Sequence, residues 1–185
     1  MRKPLTIFLA LALCAAWGMA SSHSMEDARK IHRLLVRIAE ERRERVVLRS
    51  VEFTQAELNA YLNRIYIPKY APEVKSLELE LEAGNEVSGN MAVKLEGEKY
   101  ARLPSFLRDF TVRFSGRLES DKRKIRYLFE DIRINGARFA PEVLDEAFSS
   151  AQTGIDIKQS IFDWFTLLPG LEKVAVESGR ITLFF

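Results

Sequence analysis

The chain has 185 residues, 47 % of them hydrophobic and 29 % charged, with 28 Lys and Arg against 26 Asp and Glu. This length suits a single domain, and this composition is typical of a globular protein and not of a disordered one. The small net charge gives no general electrostatic reason to expect nucleic acid or an anionic membrane as a partner.

The first twenty residues have the pattern of a secretory signal peptide. Arg2 and Lys3 form a basic start, and the apolar run "LTIFLALALCAAW" is too short to span a bilayer comfortably. Gly18 and Ala20 supply small residues at the positions that a signal peptidase inspects, so we predict a signal peptide over residues 1–20, cleaved after Ala20. Without Arg2 and Lys3 the basic count falls from 28 to 26 and equals the acidic count.

Cys14 raises the alternative of a lipid-anchored protein. Leu13 precedes it where a lipoprotein needs a small residue, so anchoring at Cys14 is disfavoured. Cleavage after Ala20 removes the only cysteine of the chain, which excludes a disulfide or a thiol nucleophile from the processed protein. We therefore predict an exported, periplasmic protein of one α+β domain over residues 21–185, with no membrane-spanning segment after signal removal.

The processed chain begins with helical patterns. An amphipathic helix is predicted from Met25 to Arg45, and residues 21–50 form this helix and its lead-in to the domain. "RVVLRSVEF" alternates as a first strand, and Thr54 to Glu57 has the pattern of a capping box that opens a second helix. Pro68 and Pro72 are expected to end helical structure, because neither residue can donate a backbone hydrogen bond.

The rest of the chain is dominated by alternating strands. We predict strands at residues 75–83, 86–96, 110–118, 125–134, 171–177 and 180–185, with turns at Gly84-Asn85, Asn135-Gly136 and Ser178-Gly179. The fourth of these strands changes phase from Phe129 to Ile132, which indicates a β-bulge near Glu130-Asp131. A helix is expected after Pro141, and loose apolar connections are expected at residues 100–107 and 160–168.

Catalytic patterns are scarce. The processed chain retains only His23 and His32, with no partner at metal-ligand spacing, and it has no Gly-rich phosphate loop or nucleophile elbow. Glu78, Glu80 and Glu82 line one strand face and could bind a hard cation, but the wet face of a sheet is the favoured interpretation. The sequence predicts a protein that is not an enzyme and that carries no cofactor.

The apolar faces of the strands suggest a different function. Together they exceed what an ordinary hairpin stack needs, and a wide antiparallel sheet twists so that a helix or an apolar ligand suits its concave face. We predict a strongly curved antiparallel sheet wrapped around one or two helices. The expected lining of an apolar groove consists of Met91, Phe110, Phe114 and Phe129 for the wall and Trp164 and Phe165 for the lip.

A family resemblance agrees with this interpretation. The segment "FTQAELNAYL" resembles the opening motif of small exported bacterial proteins related to the tubular lipid-binding (TULIP-like) superfamily and to the periplasmic YceB-like proteins. "DIRINGARFAPEVLDEAF" and "VESGRITL" resemble their later segments. The resemblance implies a helix-wrapping sheet over residues 51–185 with a groove for a lipid or another elongated apolar ligand, and no catalytic residue. It places the start of the enclosed helix at Thr54, Glu57, Leu58, Asn59 and Leu62.

A second function class remains open. The same fold could be filled by its own side chains and serve as a cell-envelope interaction or assembly module with a protein partner. The partner surface could then be a basic rim, which consists of Arg113, Arg117, Lys122, Arg123, Lys124 and Arg126. A solvated end of a hairpin explains the same run of basic residues equally well. A contiguous apolar cavity favours the lipid carrier, and a closed core favours the module.

Overall fold

A computed structural model describes residues 24–41, 50–98, 101, 108–142, 160, 162–167 and 170–185. The predicted signal peptide lies outside these residues, as do the apolar connection at 102–107 and the helix expected from 143 onward. None of the helices in the described ranges combines the length and the apolar character that crossing a bilayer requires.

The described residues form an α+β structure. Its helical elements are α1 (Met25–Glu41), α2 (Gln55–Tyr61), a π-helical turn (Leu62–Tyr66) and α3 (Ile67–Tyr70). Its strands are β1 (Ser50–Thr54), β2 (Val74–Glu82), β3 (Glu86–Lys94), β4 (Asp109–Asp121), β5 (Lys124–Ile134), β6 (Ala137–Phe139), β7 (Phe165–Thr166), β8 (Lys173–Glu177) and β9 (Arg180–Phe184).

The strands pair antiparallel in two sheets. The large sheet has the order β2-β3-β4-β5-β6, with β7 added beside the first residues of β5. The small sheet has the order β1-β9-β8, so a strand before α2 pairs with the last strand of the chain. The sequence predicts most of these strands, but not their division between two sheets, because alternation does not specify which strands become neighbours.

The local features of β2 to β5 confirm the sequence pattern. Leu77, Leu79 and Leu81 are 1 %, 2 % and 4 % exposed and lie on one face of β2. The register between β4 and β5 shifts after Ser115, because Ser115 pairs with Asp131 and Gly116 pairs with Phe129. Glu130 is therefore the extra residue of a β-bulge, at the predicted position.

Gly116 makes this bulge possible. A Cβ atom at this position would meet the backbone oxygen of Leu128 and would lie 2.9 Å from both the Leu128 carbonyl carbon and Tyr127 Cζ. These are closer than real Cβ contacts, and the backbone cannot rotate away as a side chain can. Only glycine therefore fits at this position of β4, where the bulged strand β5 approaches closely.

Pro68 does not end the helical segment, which corrects the sequence prediction. The chain passes from the π-helical turn into α3 with Pro68 in the first turn of α3, and helical structure continues to Tyr70. The Ile67 N–H donates to the Leu62 oxygen, five residues back, as the wide turn closes. The missing N–H of a proline costs little in the first turn of a helix, and the change from π to α geometry places Pro68 there.

Three amide side chains cover the outer edge of β2. The N–H of Leu81 donates to Gln55 Oε1 at 2.8 Å, and the N–H of Leu79 donates to Asn59 Oδ1 at 2.8 Å. The N–H of Leu77 donates to Asn63 Oδ1, also at 2.8 Å. We call this set of contacts the amide ladder.

The two asparagines complete the ladder with their amino groups. Asn59 Nδ2 donates back to the Leu79 oxygen at 3.0 Å, and Asn63 Nδ2 donates to the Leu77 oxygen. The Leu81 oxygen accepts instead from the Gly179 N–H at 2.8 Å, in the turn between β8 and β9. The edge of β2 is thus satisfied by a helix and by the small sheet in place of a further strand.

Helix α1 is attached to the same region through Glu57. This buried carboxylate accepts from the Thr54 N–H at 2.9 Å in the capping box, and it also accepts from Lys30 Nζ on α1. Ala28 and Ile31 of α1 are 0 % and 2 % exposed. One carboxylate therefore caps α2 and joins α1 to it.

We expect Asn59→Ala to lower the free energy of unfolding by about 2–4 kcal/mol, because it leaves a buried N–H and a buried C=O of Leu79 unpaired. Urea denaturation measures the change. Asn90→Ala on the opposite face of the large sheet is the matched control, and it should cost less than about 0.5 kcal/mol. Equal losses in the two variants would contradict a structural role for the amide ladder.

We expect Gly116→Ala to destabilise the protein by more than about 2 kcal/mol, because the added methyl group meets fixed backbone. The neighbouring Ser115→Ala tests whether any substitution in this strand is costly, and it should change stability by less than about 0.5 kcal/mol. Thermal unfolding followed by circular dichroism compares them. A Gly116→Ala melting temperature equal to that of the wild type would show that the bulge adapts.

The capping carboxylate should make stability depend on pH. Burial raises the pKa of Glu57, but the hydrogen bonds from Lys30 and from the Thr54 backbone outweigh burial, so the pKa lies below its usual value. The resulting stabilisation is present above the unfolded-state pKa of about 4.3 and is lost as the pH falls through the folded-state pKa.

Glu57→Gln should accordingly lower the free energy of unfolding near neutral pH and flatten its fall at acidic pH. Urea denaturation at a series of pH values measures both effects. Glu82→Gln, at the exposed last residue of β2, controls for the loss of one negative charge. A Glu57→Gln profile parallel to that of the wild type at all pH values would contradict this account.

Candidate functional site

The inner face of the large sheet is the candidate site. Register places Met91, Phe110, Phe114 and Phe129 on this face, together with the buried leucines of β2. The face continues across β5 through Ile132 and Ile134, since the bulge at Glu130 restores the inward direction. The structure therefore puts all four predicted wall residues on one surface.

The wall residues differ in burial along the strands. Phe114 is 3 % exposed and packs edge-to-face against Tyr127 and Phe129, with ring centroids 5.9 and 6.1 Å apart. The Tyr127 hydroxyl donates to the Val87 oxygen at 2.6 Å, which fixes this cluster. Phe114 is thus part of a closed core, at the centre of the face.

Helix α2 and the π-helical turn pack against β2, beside this closed part. Leu58, Tyr61 and Leu62 are 6 %, 6 % and 0 % exposed and belong to the same apolar cluster as Leu77 and Phe114. Burial raises the pKa of Tyr61 to about 12, and the neighbouring Tyr70 and Tyr66 add to the shift, so its hydroxyl is neutral at physiological pH.

The cover is less complete where β3 ends and β4 begins. Met91, Phe110 and Ile134 are only partly buried, and they surround Val112, which is 9 % exposed. Met91 lies opposite Val112 and Val112 lies opposite Ile134, so the group extends across three strands. We call Met91, Phe110 and Ile134 the distal strip.

The two predicted lip residues lie in different environments. Phe165 lies in β7, where it pairs with Ile125 of β5. It is 6 % exposed, so its side chain belongs to the core. Trp164 is half-buried, and the Arg126 guanidinium lies 4.6 Å from its ring centroid. Arg126 also pairs with Glu119 at 2.6 Å on the outer face of the sheet, so the Trp164 ring is beside that face.

Phe129 contacts the segment of residues 162–167, which precedes β8. Its ring centroid lies 4.7 Å from that of Tyr127 and 6.3 Å from that of Phe162, both edge-to-face. Phe129 is partly buried, but these ring contacts tie it to the core cluster. Met91 and Phe110 of the distal strip are therefore the predicted wall residues that are partly exposed and have no aromatic partner among the described residues.

A hollow of about 300 Å³ lies beyond the distal strip along the chain, and none of the strip residues lines it. It is lined by residues 94–97, 108 and 109 at the end of β3 and the start of β4. The Leu95 N–H donates to the Arg108 oxygen at 2.7 Å, which continues the pairing of these strands beyond Lys94 and Asp109. Alternation from Phe110 assigns Arg108 to the inner face.

The charges around the hollow are unequally paired. Glu96 lies 2.9 Å from Lys94 and 3.4 Å from Lys75, and its pKa is lowered chiefly by the hydrogen bond from Lys94. Arg108 Nε is buried and makes no hydrogen bond with any residue that the structure describes. Sequence reasoning missed Arg108, although its position two residues before Phe110 on an alternating strand was a usable indication.

The described residues offer no group of metal ligands at this site. Among the described side chains, no three His, Cys, Asp or Glu residues converge in the way that metal ligands do. Glu78, Glu80 and Glu82 lie on the outer side of β2, where Glu80 accepts weakly from Ser88 at 3.4 Å.

Comparison with known proteins adds no identity. No protein-family model matches the chain, and neither a curated protein nor a solved structure matches it. Any assignment of function therefore depends on the geometry described above.

Proposed function

We propose that this chain is an exported, non-enzymatic protein that binds an acyl chain or another elongated apolar ligand on the inner face of its large sheet. The observation that carries the proposal is the distal strip, where Met91, Phe110 and Ile134 remain partly exposed at one end of a face whose centre is buried. The signal-peptide pattern of residues 1–20 supports delivery to the periplasm. The resemblance to TULIP-like and YceB-like proteins agrees with the same function and is itself part of the proposal.

The proposal includes a finer statement about the fold. We infer that the large sheet curves around α2, so that its concave side continues past the helix and forms the groove at the distal strip. The amide ladder supports this geometry, because it holds α2 against one edge of the sheet and leaves the far end of β3 and β4 without that helix.

The free energy of burying methylene groups should make the site select ligands by the length of their apolar chain. Each methylene removed from water contributes roughly 0.8 kcal/mol, so about a dozen carbons could gain near 10 kcal/mol before ordering costs. This gain does not depend on orientation, so the apolar part of the site selects ligands by the length of their chain more than by their head group. The groove wall would be Met91, Phe110 and Ile134, while Phe114 and Phe165 would support it from the core.

A closed-core envelope module is the second candidate, and one observation favours it. Arg113, Arg133 and Arg138 lie directly opposite one another across β4, β5 and β6 on the outer face. Asp131 pairs with Arg133 at 2.8 Å and with Arg138 at 2.7 Å. Like charges opposite one another are unfavourable in a sheet, so this row is a candidate surface for an acidic protein partner.

One experiment separates the two candidates. We expect the purified protein to bind a fluorescent fatty acid, and Phe110→Ser to weaken binding at least about tenfold, since it removes most of one ring of buried apolar area. Fluorescence titration measures affinity, and circular dichroism checks the fold. Tyr70→Ser is the control, because Tyr70 is an exposed aromatic on α3 that belongs neither to the distal strip nor to the apolar cluster.

The outcome assigns the function in either direction. Tyr70→Ser should bind as the wild type does. If the wild type binds no fatty acid and native mass spectrometry gives only the polypeptide mass, the carrier is wrong and the module remains. Equal loss in Phe110→Ser and Tyr70→Ser would mean that the dye adsorbs to exposed aromatic residues.

A further inference from the structure

The outer face of the large sheet carries acidic residues on two neighbouring strands. Residues 76–93, which make up most of β2 and β3, contain four glutamates and no lysine or arginine. All four glutamates lie on the outer face, and Glu82 lies directly opposite Glu86. We call Glu78, Glu80, Glu82 and Glu86 the acidic half of this face.

The next strands of the sheet carry the opposite charge on the same face. The basic half consists of the exposed residues Arg113, Arg117, Arg133 and Arg138 on β4, β5 and β6. The carboxylates of these strands at the same levels are Glu130 and Asp131, and Asp131 pairs with Arg133 and Arg138. The basic half therefore keeps an excess of two positive charges.

Grouping charges of one sign costs stability in a single copy of the chain. Like charges directly opposite one another destabilise a sheet, and this applies to Glu82 with Glu86 and to Arg133 with Arg138. A sheet face in contact with water needs only polar residues, which need not be sorted by sign. A face that is sorted into an acidic and a basic half is electrostatically complementary to itself.

We propose that two copies of the chain associate through the outer faces of their large sheets, with the acidic half of each against the basic half of the other. A two-fold axis parallel to the strands, between β3 and β4, places β2 over the partner's β5 and β3 over the partner's β4. An axis across the strands would instead place acidic strand on acidic strand. The charges thus select the first axis.

The register of the sheet defines which side chains meet. One row runs across four strands from Glu78 through Asn90 and Arg113 to Arg133. The two-fold axis brings Glu78 to the partner's Arg133, at the opposite ends of their rows. Each such contact occurs twice, because the interface is symmetric.

The size and the centre of the face suit this association. Ser88 lies opposite Ser115 beside the axis, and these short side chains let the two sheets approach. Four strands about 4.8 Å apart and about nine residues long cover roughly 600 Å², so two copies would bury on the order of 1,200 Å². This is the lower limit of a standard interface, and we expect a dissociation constant in the micromolar range. The inner face stays free, so the inference does not depend on acyl binding.

Sedimentation velocity of the purified protein tests the association. The wild type should form dimers at low salt, and raising the ionic strength from about 0.05 to 0.5 M should weaken them at least about tenfold, because salt screens exposed charges. Glu78→Arg and Arg133→Glu should each weaken the dimer at least about tenfold, because each reversal is repeated on both sides of the axis. Circular dichroism checks that each variant is folded.

The double variant Glu78→Arg with Arg133→Glu is the decisive measurement, and it should recover the wild-type dimer affinity within about threefold. Within one chain these residues lie three strands apart, about 14 Å, which is too far for a direct ion pair. Recovery can therefore come only from contact between copies. Glu172→Arg is the matched control, because it reverses an exposed glutamate outside the large sheet, and it should change the affinity less than about threefold.

Three results would overturn the proposal. A wild type that is monomeric up to about 100 μM at low salt rules out the dimer and leaves acyl binding untouched. A dimer that is unchanged in both single variants forms through another surface. A double variant that is folded but stays as weak as the single variants contradicts the contact between Glu78 and the partner's Arg133 that the axis requires.

Discussion

The amide ladder is the interaction on which the arrangement of the described elements depends. Four helical residues advance about 6 Å, and two strand residues advance about 6.6 Å, so amide side chains four apart on a helix can follow alternate residues of a strand. Gln55, Asn59 and Asn63 have this spacing and bond Leu81, Leu79 and Leu77 in the opposite order. The helix takes the place of a neighbouring strand, and its direction and height along β2 are fixed together.

Several other features repeat this device. Asn85, in the turn after β2, accepts from the Val176 N–H at 2.7 Å, and Ser120 accepts from the Val174 N–H at 3.0 Å, so both cover the outer edge of β8. Asn135 accepts from the Thr111 N–H at 2.9 Å and extends the pairing of β4 beyond its partner strand. Polar side chains thus satisfy sheet edges that would otherwise expose backbone groups and invite pairing with another chain.

Sequence patterns predicted the local structure well and the long-range structure poorly. Alternation identified the long strands, and the change of phase at Glu130 identified the bulge, because both are properties of consecutive residues. The pairing of β1 with β9 joins Ser50 to Phe184, and neither segment has a sequence feature that identifies the other as its partner. The sequence does not identify the amides at 55, 59 and 63 as contacts of a strand edge, since a polar residue that bonds a strand edge and one that bonds water have the same pattern.

The difference between local and long-range structure also explains which parts of the candidate site the sequence could predict. Alternation placed Phe110 and Phe114 on one face, and it could not show that the central residue is buried while the one at the end is only partly covered. Burial then divides their roles: Phe114 supports the core, while Phe110 lies where cover is incomplete. Packing between elements that are distant in sequence is a long-range property, so the incomplete cover at the end of β3 and the start of β4 could be found only from the structure.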